Sequence, residues 1–171
     1  LYESLDVGKP ISYALYDDVL SRTVGGLRNC VADIDKLLGS CGNDAGSLIY
    51  QSRAPIGVVA AIAGWNYPVT LAAGKIGPAL ITGNSIVLKP SEFTSLSAGL
   101  LAELATQAGV PAGVVNIVHG GPAVGDALAR HMDVELLSFV GSSATGKLLM
   151  KAAGESNMKR LNLECGGKSP F

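Results

Sequence analysis

From residue 56 onward, short apolar runs alternate with longer segments of helical composition, and this alternation restricts the choice of fold more than any other feature. The apolar runs occupy residues 56–63, 85–89, 114–118, 136–140 and 160–164. The segments between them, rich in Ala, Leu and Gly, occupy residues 70–82, 95–108, 123–131 and 144–153. Apolar runs without strict polar alternation indicate strands that are covered on both faces. Strands that alternate with helices predict an α/β fold with a doubly wound parallel sheet.

Two further segments precede this alternation. Residues 16–38 carry apolar side chains at a spacing of three and four, which predicts a long amphipathic helix that is interrupted or bent near Gly25 and Gly26. Residues 41–54 are rich in Gly, Ser and Asn around a short apolar run, which predicts an extended hairpin or arm away from the main body.

Small polar residues and glycines predict several helix ends. Ser91 or Thr94 is expected to cap the helix at residues 95–108 through its side-chain oxygen. Gly109 is expected to end that helix, and Gly154 is expected to end the last one.

The composition argues against several classes of function. With 48% hydrophobic and 16% charged residues, a chain of 171 residues can bury one sizeable core. The formal net charge of -1 offers no basic surface, so neither nucleic acid nor an anionic membrane is an expected partner. The longest apolar stretch, residues 55–64, is shorter than the roughly 20 residues of a membrane-spanning helix.

The three cysteines indicate where in the cell the protein is located, and the two chain ends indicate whether the sequence is part of a longer one. The cysteines have neither C-x-x-C pairing nor metal-type spacing with a histidine, so we expect reduced thiols, no metal site and a cytoplasmic protein. The chain opens without Met or a signal peptide and stops just after a glycine-rich run. We therefore expect both ends to be cuts in a larger protein.

Polar residues follow the first two strands of the alternation, at the edge where such sheets bind ligands. Asn66 lies between Trp65 and Tyr67, where its amide could donate to a developing oxyanion or, alternatively, cap a helix between two packing aromatics. Lys89 and Glu92 could hold ribose hydroxyls, or form a solvated ion pair at a turn.

Residues 141–147 form a glycine-bounded turn into a helix, whose free N–H groups could hold a phosphate. The spacing satisfies a P-loop through Lys147, but Leu148 stands where a P-loop needs a Ser or Thr hydroxyl for Mg²⁺. A dinucleotide pyrophosphate therefore suits this turn better than a P-loop nucleotide.

Glu164 ends the last predicted strand beside two glycines, where a carboxylate is well placed as a general base. Cys165 beside it suggests a nucleophile, but neighbouring side chains in a strand point to opposite faces. We therefore expect Cys165 to line or back the site. His119 and His131 have no partner at ligand spacing and are expected to have ordinary surface or packing roles.

Eight motifs resemble the aldehyde dehydrogenase superfamily in order and spacing. They are Pro55-Ile56-Gly57-Val58-Val59, Gly64-Trp65-Asn66-Tyr67-Pro68, Gly77-Pro78-Ala79-Leu80, Gly83-Asn84, Leu88-Lys89-Pro90-Ser91-Glu92, Pro111-Ala112-Gly113-Val114-Val115-Asn116, Phe139-Val140-Gly141-Ser142 and Leu163-Glu164-Cys165-Gly166-Gly167-Lys168-Ser169-Pro170. The match covers essentially the whole chain. The resemblance implies a Rossmann-like but incomplete NAD(P)-binding domain over residues 1–171, with residues 41–54 as an oligomerisation arm and the catalytic domain absent.

Carried over position by position, the resemblance implies roles for individual residues. Asn66 would donate to the oxyanion of the tetrahedral intermediate, and Glu164 would activate the nucleophile or the hydrolytic water. Lys89 and Glu92 would hold the adenosine ribose, and Ser142 would contact the pyrophosphate. The remaining cofactor-binding residues would be Ile62, Ala63, Trp65, Ser91, Gly121, Gly125, Phe139, Gly141 and Gly166. A carboxylate at Glu92 repels a 2′-phosphate, so NAD is expected over NADP, although Lys89 leaves dual use open.

The reaction implied by the resemblance is oxidation of an aldehyde to a carboxylic acid with NAD(P)+, through a cysteine thiohemiacetal and thioester. In the family that cysteine lies beyond the position of Phe171, and none of Cys30, Cys41 and Cys165 matches it. The 171 residues alone are therefore expected to be inactive. The full-length protein is expected to act on a small-molecule aldehyde as a homo-oligomer.

Two positions depart from the family pattern. Gly64 stands where many members have Pro, and Gly74 stands where an aromatic is common, which implies a wider substrate tunnel or a more mobile loop. Two other classes stay open from the sequence: a P-loop nucleotide-binding protein and a non-catalytic binding module.

Overall fold

In residues 1–168, which the computed structural model describes, helices cover both faces of a central sheet. The strands are β1 Ser40–Asp44, β2 Ser47–Gln51, β3 Val58–Ile62, β4 Ser85–Lys89, β5 Val115–Ile117, β6 Leu136–Gly141 and β7 Arg160–Cys165. The helices are α1 Tyr2–Val7, α2 Ile11–Tyr13, α3 Gly25–Asp33, α4 Pro68–Ile81, α5 Leu96–Gln107, α6 Pro122–Arg130 and α7 Ser143–Gly154. Every strand and helix predicted after residue 56 is confirmed, with ends that differ by no more than about two residues, as is usual for such bounds. Ser169 and Pro170 of the last motif lie outside the described residues.

The central sheet has the order β5-β4-β3-β6-β7, and all of its strand pairs are parallel. The chain moves outward from β3 through β4 to β5, and then crosses back to place β6 on the other side of β3. This reversal of direction creates a switch point between the carboxyl ends of β3 and β6, which is where sheets of this kind bind ligands. The predicted doubly wound parallel sheet is confirmed.

The two faces of β3 contribute to two separate apolar cores. Ala60 and Ile62 face α6 and α7, whereas Ala61 and Ala63 face α4 and α5. Continuous burial on both faces explains why these strands read as unbroken apolar runs in the sequence. Each fully buried large side chain, such as Ile86 or Leu137, contributes roughly 1.5–3 kcal/mol through burial.

A long helical region precedes the sheet, as predicted, but it starts earlier than residue 16. It runs from α2 through a π-helical segment Ala14–Val24 into α3, and it ends in a 3₁₀ turn at Ile34–Lys36. The change from π-helix to α-helix falls at Gly25, the position where a bend was predicted. This region packs on α4 at Gly77, where an added Cβ would lie 3.0 Å from the Cys30 Sγ atom.

The predicted N-cap of α5 is wrong. Neither Ser91 nor Thr94 bonds the first turn of that helix. Instead, the Asp6 Oδ2 atom accepts hydrogen bonds from the backbone N–H groups of Leu96 at 2.9 Å and Ser97 at 3.2 Å. A carboxylate from α1 thus caps a helix that begins ninety positions later. The choice of cap depends on tertiary packing, which local sequence does not reveal.

Glycine ends α5 as predicted, and α7 ends differently. Gly109 has a φ of +86°, and the N–H of Val110 donates to the Ala105 carbonyl at 3.0 Å, which closes the end of α5. Helix α7 does stop at Gly154, but Gly154 lacks a positive φ, so its conformational freedom is not what ends the helix.

The hairpin predicted within residues 41–54 is present as β1 and β2, paired antiparallel. Ala45 and Gly46 both have positive φ, at 44° and 89°, as a two-residue type I′ turn requires. Every residue of the two strands is exposed. In the described part of the chain, no helix combines the length and apolar character needed to cross a membrane.

Candidate active site

Strand register brings three of the predicted cofactor residues side by side at the switch point. Ile62 of β3 pairs with Lys89 of β4 on one side and with Phe139 of β6 on the other. Ile62 and Phe139 belong to the core under α6 and α7. Lys89 shares that face, because Leu88 beside it belongs to the opposite core and neighbouring side chains alternate. Ala63, the residue directly after β3, is buried against α4 and α5 and so faces away from these three.

Lys89 is a buried cation whose ammonium group has more hydrogen-bond donors than partners. Its side chain is 6% exposed, and its Nζ atom donates to the Pro90 carbonyl at 3.1 Å and to Glu92 Oε2 at 3.3 Å. An ammonium has three donors, so one N–H remains for a ligand among the described residues. The pKa of Glu92 is lowered by a hydrogen bond from its own backbone N–H and by Lys89, which keeps the carboxylate ionised.

Ser91 and Trp65 lie next to this pair in supporting positions. The Ser91 hydroxyl accepts from the Phe93 N–H at 3.3 Å, which forms the tight turn that carries Glu92 back towards Lys89. Trp65 is 60% exposed, and its carbonyl accepts from the Thr94 hydroxyl at 3.0 Å. The Trp65 ring therefore lies at the rim of the site rather than in its floor.

Glycines bring the backbone close to the floor of the site. At Gly141 an added Cβ would lie 2.5 Å from the Phe139 ring, so the backbone passes directly over that ring only because the residue is glycine. Gly125 of α6 packs on Ile62, and an added Cβ there would lie 3.5 Å from the isoleucine Cδ1 atom. A Cβ added at Gly121 would lie 3.9 Å from Glu92 Oε1. Gly166 follows β7 and is exposed.

Two helix N-termini open onto the same face. Helix α7 starts after Ser142, directly beyond the carboxyl end of β6, and α6 starts after Gly121, a few residues beyond the carboxyl end of β5. The Ser142 hydroxyl accepts from the Thr145 N–H at 3.1 Å, so Ser142 is the N-cap of α7. The N–H groups of the first helical residues have no intrahelical partner and can bind an anion.

The same geometry rules out the P-loop alternative. Helix α7 begins two residues after Gly141, so most of residues 141–147 is already helical and no open loop can wrap a phosphate chain. Lys147 is exposed on the helix.

The prediction that Glu164 and Cys165 point to opposite faces is confirmed. The Cys165 Sγ atom packs on α7, 2.8 Å from where a Cβ of Gly146 would lie. Glu164 lies on the α4 side of the sheet, because Leu163 beside it packs against the core under α6 and α7. Cys165 therefore backs the sheet and does not pair with the carboxylate.

Asn66 lies near the same edge as Glu164. A Cβ built on Gly64 would lie 3.7 Å from Asn66 Oδ1 and 3.4 Å from the carbonyl oxygen of Val140, the residue that pairs with Glu164 across β6 and β7. The alternative role of Asn66 as a helix cap is wrong. Tyr67 occupies the N-cap position of α4, and Glu3 Oε2 accepts from the Val69 N–H at 3.2 Å.

Lys75 of α4 was not predicted as a site residue, yet its charge is close enough to interact with that of Glu164. Burial lowers the pKa of Lys75, and the negative charge of Glu164 partly opposes that shift. One signal was present, because Lys75 is the only charged residue between Pro68 and Ile81. A single cation in an otherwise apolar helix often marks a functional position.

The two histidines make local contacts in the structure. His131 accepts from the Asp133 N–H through Nδ1 at 3.2 Å, and the nearest contact to a Cβ built on Gly99 is His119 Nε2 at 4.0 Å. Within residues 1–168, no three His, Cys, Asp or Glu side chains lie close enough together to hold a metal ion.

A parallel, doubly wound sheet with a buried lysine, an ionised carboxylate and two helix N-termini at its switch point is an α/β arrangement suited to a dinucleotide. The model of the aldehyde dehydrogenase family matches residues 1–171. The chain belongs to the aldehyde dehydrogenase family.

Individual relatives agree with this assignment. The chain is 49% identical over 171 residues to the NADP/NAD-dependent aldehyde dehydrogenase PuuC of Escherichia coli, covering 99% of this chain and 34% of the relative. It is 51% identical over 170 residues to aminoacetaldehyde dehydrogenase of Pseudomonas aeruginosa, covering 98% and 34%. Among solved structures, an indole-3-acetaldehyde dehydrogenase complexed with NAD+ matches with a TM-score of 0.94 and 50% identity, covering 99% and 34%. The aldehyde dehydrogenase KauB from Pseudomonas aeruginosa matches with a TM-score of 0.95 at 50% identity, covering 99% and 34%. The chain thus spans about a third of the length of these relatives.

Proposed function

We propose that this protein is the cofactor-binding part of an NAD-dependent aldehyde dehydrogenase that oxidises a small-molecule aldehyde to the carboxylic acid. One observation supports the proposal most directly. Lys89, Ile62 and Phe139 lie side by side on one face of the sheet, and Glu92 and the N-termini of α6 and α7 lie at the same edge. The relatives support it, since one is named NADP/NAD-dependent and one neighbour is complexed with NAD+.

The residues at the switch point fit a dinucleotide. Lys89 would donate its remaining N–H to a ribose hydroxyl, and ionised Glu92 would accept from another. The N-terminus of α7, with Ser142, would hold the pyrophosphate. When bound, NAD+ supplies the hydride acceptor. The negative charge of Glu92 disfavours a 2′-phosphate, so NAD would be preferred and NADP would be possible.

On the α4 side of the sheet, Asn66 would donate its amide N–H to the oxyanion that forms on the substrate carbonyl. Glu164 would take the proton from the nucleophile or from the attacking water. Lys75 of α4, whose pKa is lowered by burial, would lie on the same side of the sheet as this carboxylate. The nucleophile would be a cysteine located beyond Phe171 in the full-length protein, and none of Cys30, Cys41 and Cys165 has that role in this proposal.

Two properties of the whole protein belong to the same proposal. The exposed β1–β2 hairpin offers unpaired strand edges, which would pair with a neighbouring subunit in a homo-oligomer. A cytoplasmic location is supported by cysteines that are free thiols in the described residues.

The test is steady-state kinetics of the full-length protein and its variants. Asn66→Ala removes one oxyanion donor and is expected to lower kcat by roughly 10²–10³-fold. Glu164→Gln removes the base and is expected to lower kcat by about 10²-fold or more. Glu103→Gln, at an exposed position of α5, is the matched control and should leave kcat unchanged.

Two outcomes would contradict the proposal. Wild-type turnover in both Asn66→Ala and Glu164→Gln would reject their roles. Aldehyde-dependent NADH formation by the 171 residues alone would mean that one of their own cysteines is the nucleophile.

A further inference from the structure

The ring of Tyr67 is held by two cations, Lys9 from the loop between α1 and α2 and Arg22 from the π-helical segment. The Lys9 Nζ atom lies 3.4 Å from the centroid of the Tyr67 ring, and the Arg22 guanidinium carbon lies 5.3 Å from it. The Tyr67 hydroxyl is 3.4 Å from the Tyr13 hydroxyl. A cation within about 6 Å of an aromatic face is attracted by the ring quadrupole, and Lys9 is the closer of the two.

Lys9 is in turn fixed by a buried acid. Its Nζ atom lies 2.7 Å from Asp18 Oδ2, and Asp18 is completely buried. The backbone carbonyl of Asp18 accepts from the Thr23 hydroxyl at 2.7 Å and from the Thr70 hydroxyl of α4 at 3.3 Å. A buried carboxylate needs its cation, so Lys9 has one favoured position, which is above the Tyr67 ring.

Asn66 lies between two anchored neighbours and has no anchor of its own. Its side chain forms no hydrogen bond to another residue in the described part of the protein. On one side, the Trp65 carbonyl is held by the Thr94 hydroxyl at 3.0 Å. On the other side, Tyr67 is held by Lys9. An oxyanion donor acts through preorganisation, so its position must come from these neighbours.

We propose that Lys9, fixed by Asp18, is a positioning residue that keeps Asn66 in place through the ring of Tyr67. This inference rests on the proposed role of Asn66 as the oxyanion donor. Lys9 acts only through the Tyr67 ring and, from there, through the backbone of the Trp65–Tyr67 segment.

The first experiment needs no turnover, because Trp65 is the only tryptophan of the sequence and adjoins Asn66. Acrylamide quenching of the 171-residue protein measures how freely that segment moves. Lys9→Met should raise the quenching constant by about 1.5-fold or more, since the cation–ring contact is lost, and Lys9→Arg should restore it. Lys36→Met, which removes a lysine from an exposed ion pair with Asp33, is the matched control and should leave the constant unchanged.

Lys9→Met leaves the Asp18 charge unpaired and can prevent folding. The double variant Lys9→Met/Asp18→Asn removes that buried charge together with the cation, and it should show the same rise in quenching. Wild-type quenching in every folded variant that lacks Lys9 would overturn the inference.

The second experiment is a kinetic cycle in the full-length enzyme. Lys9→Met and Tyr67→Leu should each lower kcat by about tenfold while KM for NAD stays constant, since oxyanion stabilisation acts on the transition state. The double variant should lose no more than either single variant, because Lys9 acts through the Tyr67 ring. Multiplicative losses in the double variant, or a wild-type kcat in Lys9→Met, would overturn the inference while leaving the proposed function intact. A wild-type kcat in Asn66→Ala would instead reject the proposed function.

Discussion

At the scale of single residues, charges at strand ends were predictable and buried charges inside helices were not. Lys89 and Glu92 stand out in the sequence because they follow an apolar run, and the structure places them 3.3 Å apart. Lys75 and Asp18 were not predicted, because burial depends on how helices pack; only Lys75 left a sequence signal, as the single charged residue of α4. Asn66 was visible, but its two alternative roles could be separated only once Tyr67 was seen to occupy the N-cap of α4.

Glu92 provides a prediction about cofactor choice. Glu92→Gln removes the negative charge but keeps the size of the side chain, so repulsion of a 2′-phosphate should fall. The ratio of the NADP Kd to the NAD Kd should drop by about tenfold, which corresponds to ~1.4 kcal/mol. Binding of both cofactors to the full-length enzyme, with Glu103→Gln as the control, would provide the comparison. An unchanged ratio would show that Glu92 does not discriminate between the two cofactors.

At the scale of secondary-structure elements, helix α1 fixes the starts of two later helices. Asp6 caps α5, and Glu3 bonds the first turn of α4, so two carboxylates on one short helix hold elements that lie far along the sequence. The strands and helices after residue 56 could be predicted from apolar patterning, because each is set by local sequence. Their caps could not, since the partner comes from a distant element.

Removing the cap of α5 should cost stability. Asp6→Ala loses two hydrogen bonds to backbone N–H groups and should lower the free energy of unfolding by about 1 kcal/mol. Asp6→Asn keeps an acceptor oxygen and should lose less. Urea unfolding of the 171-residue protein gives these values, with the exposed Asp133→Ala as a control. Equal midpoints for Asp6→Ala and wild type would contradict the capping role.

Glu3 should make stability depend on pH. Burial raises the pKa of its carboxyl above the ordinary value of 4.5, so the native state binds a proton more tightly than the unfolded state does. The stability contributed by this group is full below pH 4.5 and is lost as pH rises through the raised native pKa.

Glu3→Gln removes this titration. Urea unfolding of both proteins at several pH values measures the effect. The free energy of unfolding of wild type, relative to that of Glu3→Gln, should fall as pH rises above 4.5 and then level off. Parallel stability curves for the two proteins would exclude this contribution from Glu3.

At the scale of the whole molecule, the alternation of apolar strand segments with helical segments predicted the parallel sheet but not the order of its strands. The crossing back from β5 to β6 creates the switch point, and only that crossing brings Lys89, Ile62 and Phe139 into one row. Strand order arises from long-range pairing, which a single sequence does not encode in any local pattern. The resemblance to a known family, rather than spacing alone, linked these residues at the level of sequence.

A dinucleotide site at the switch point can be tested by calorimetric titration of the 171-residue protein with NAD and, separately, with Mg²⁺-ATP. Such a site predicts weak but saturable NAD binding that falls by about tenfold or more in Lys89→Met, since a buried donor to the ribose is lost, and no binding of Mg²⁺-ATP. Tight Mg²⁺-dependent binding of ATP, or NAD binding that is indifferent to Lys89, would contradict it.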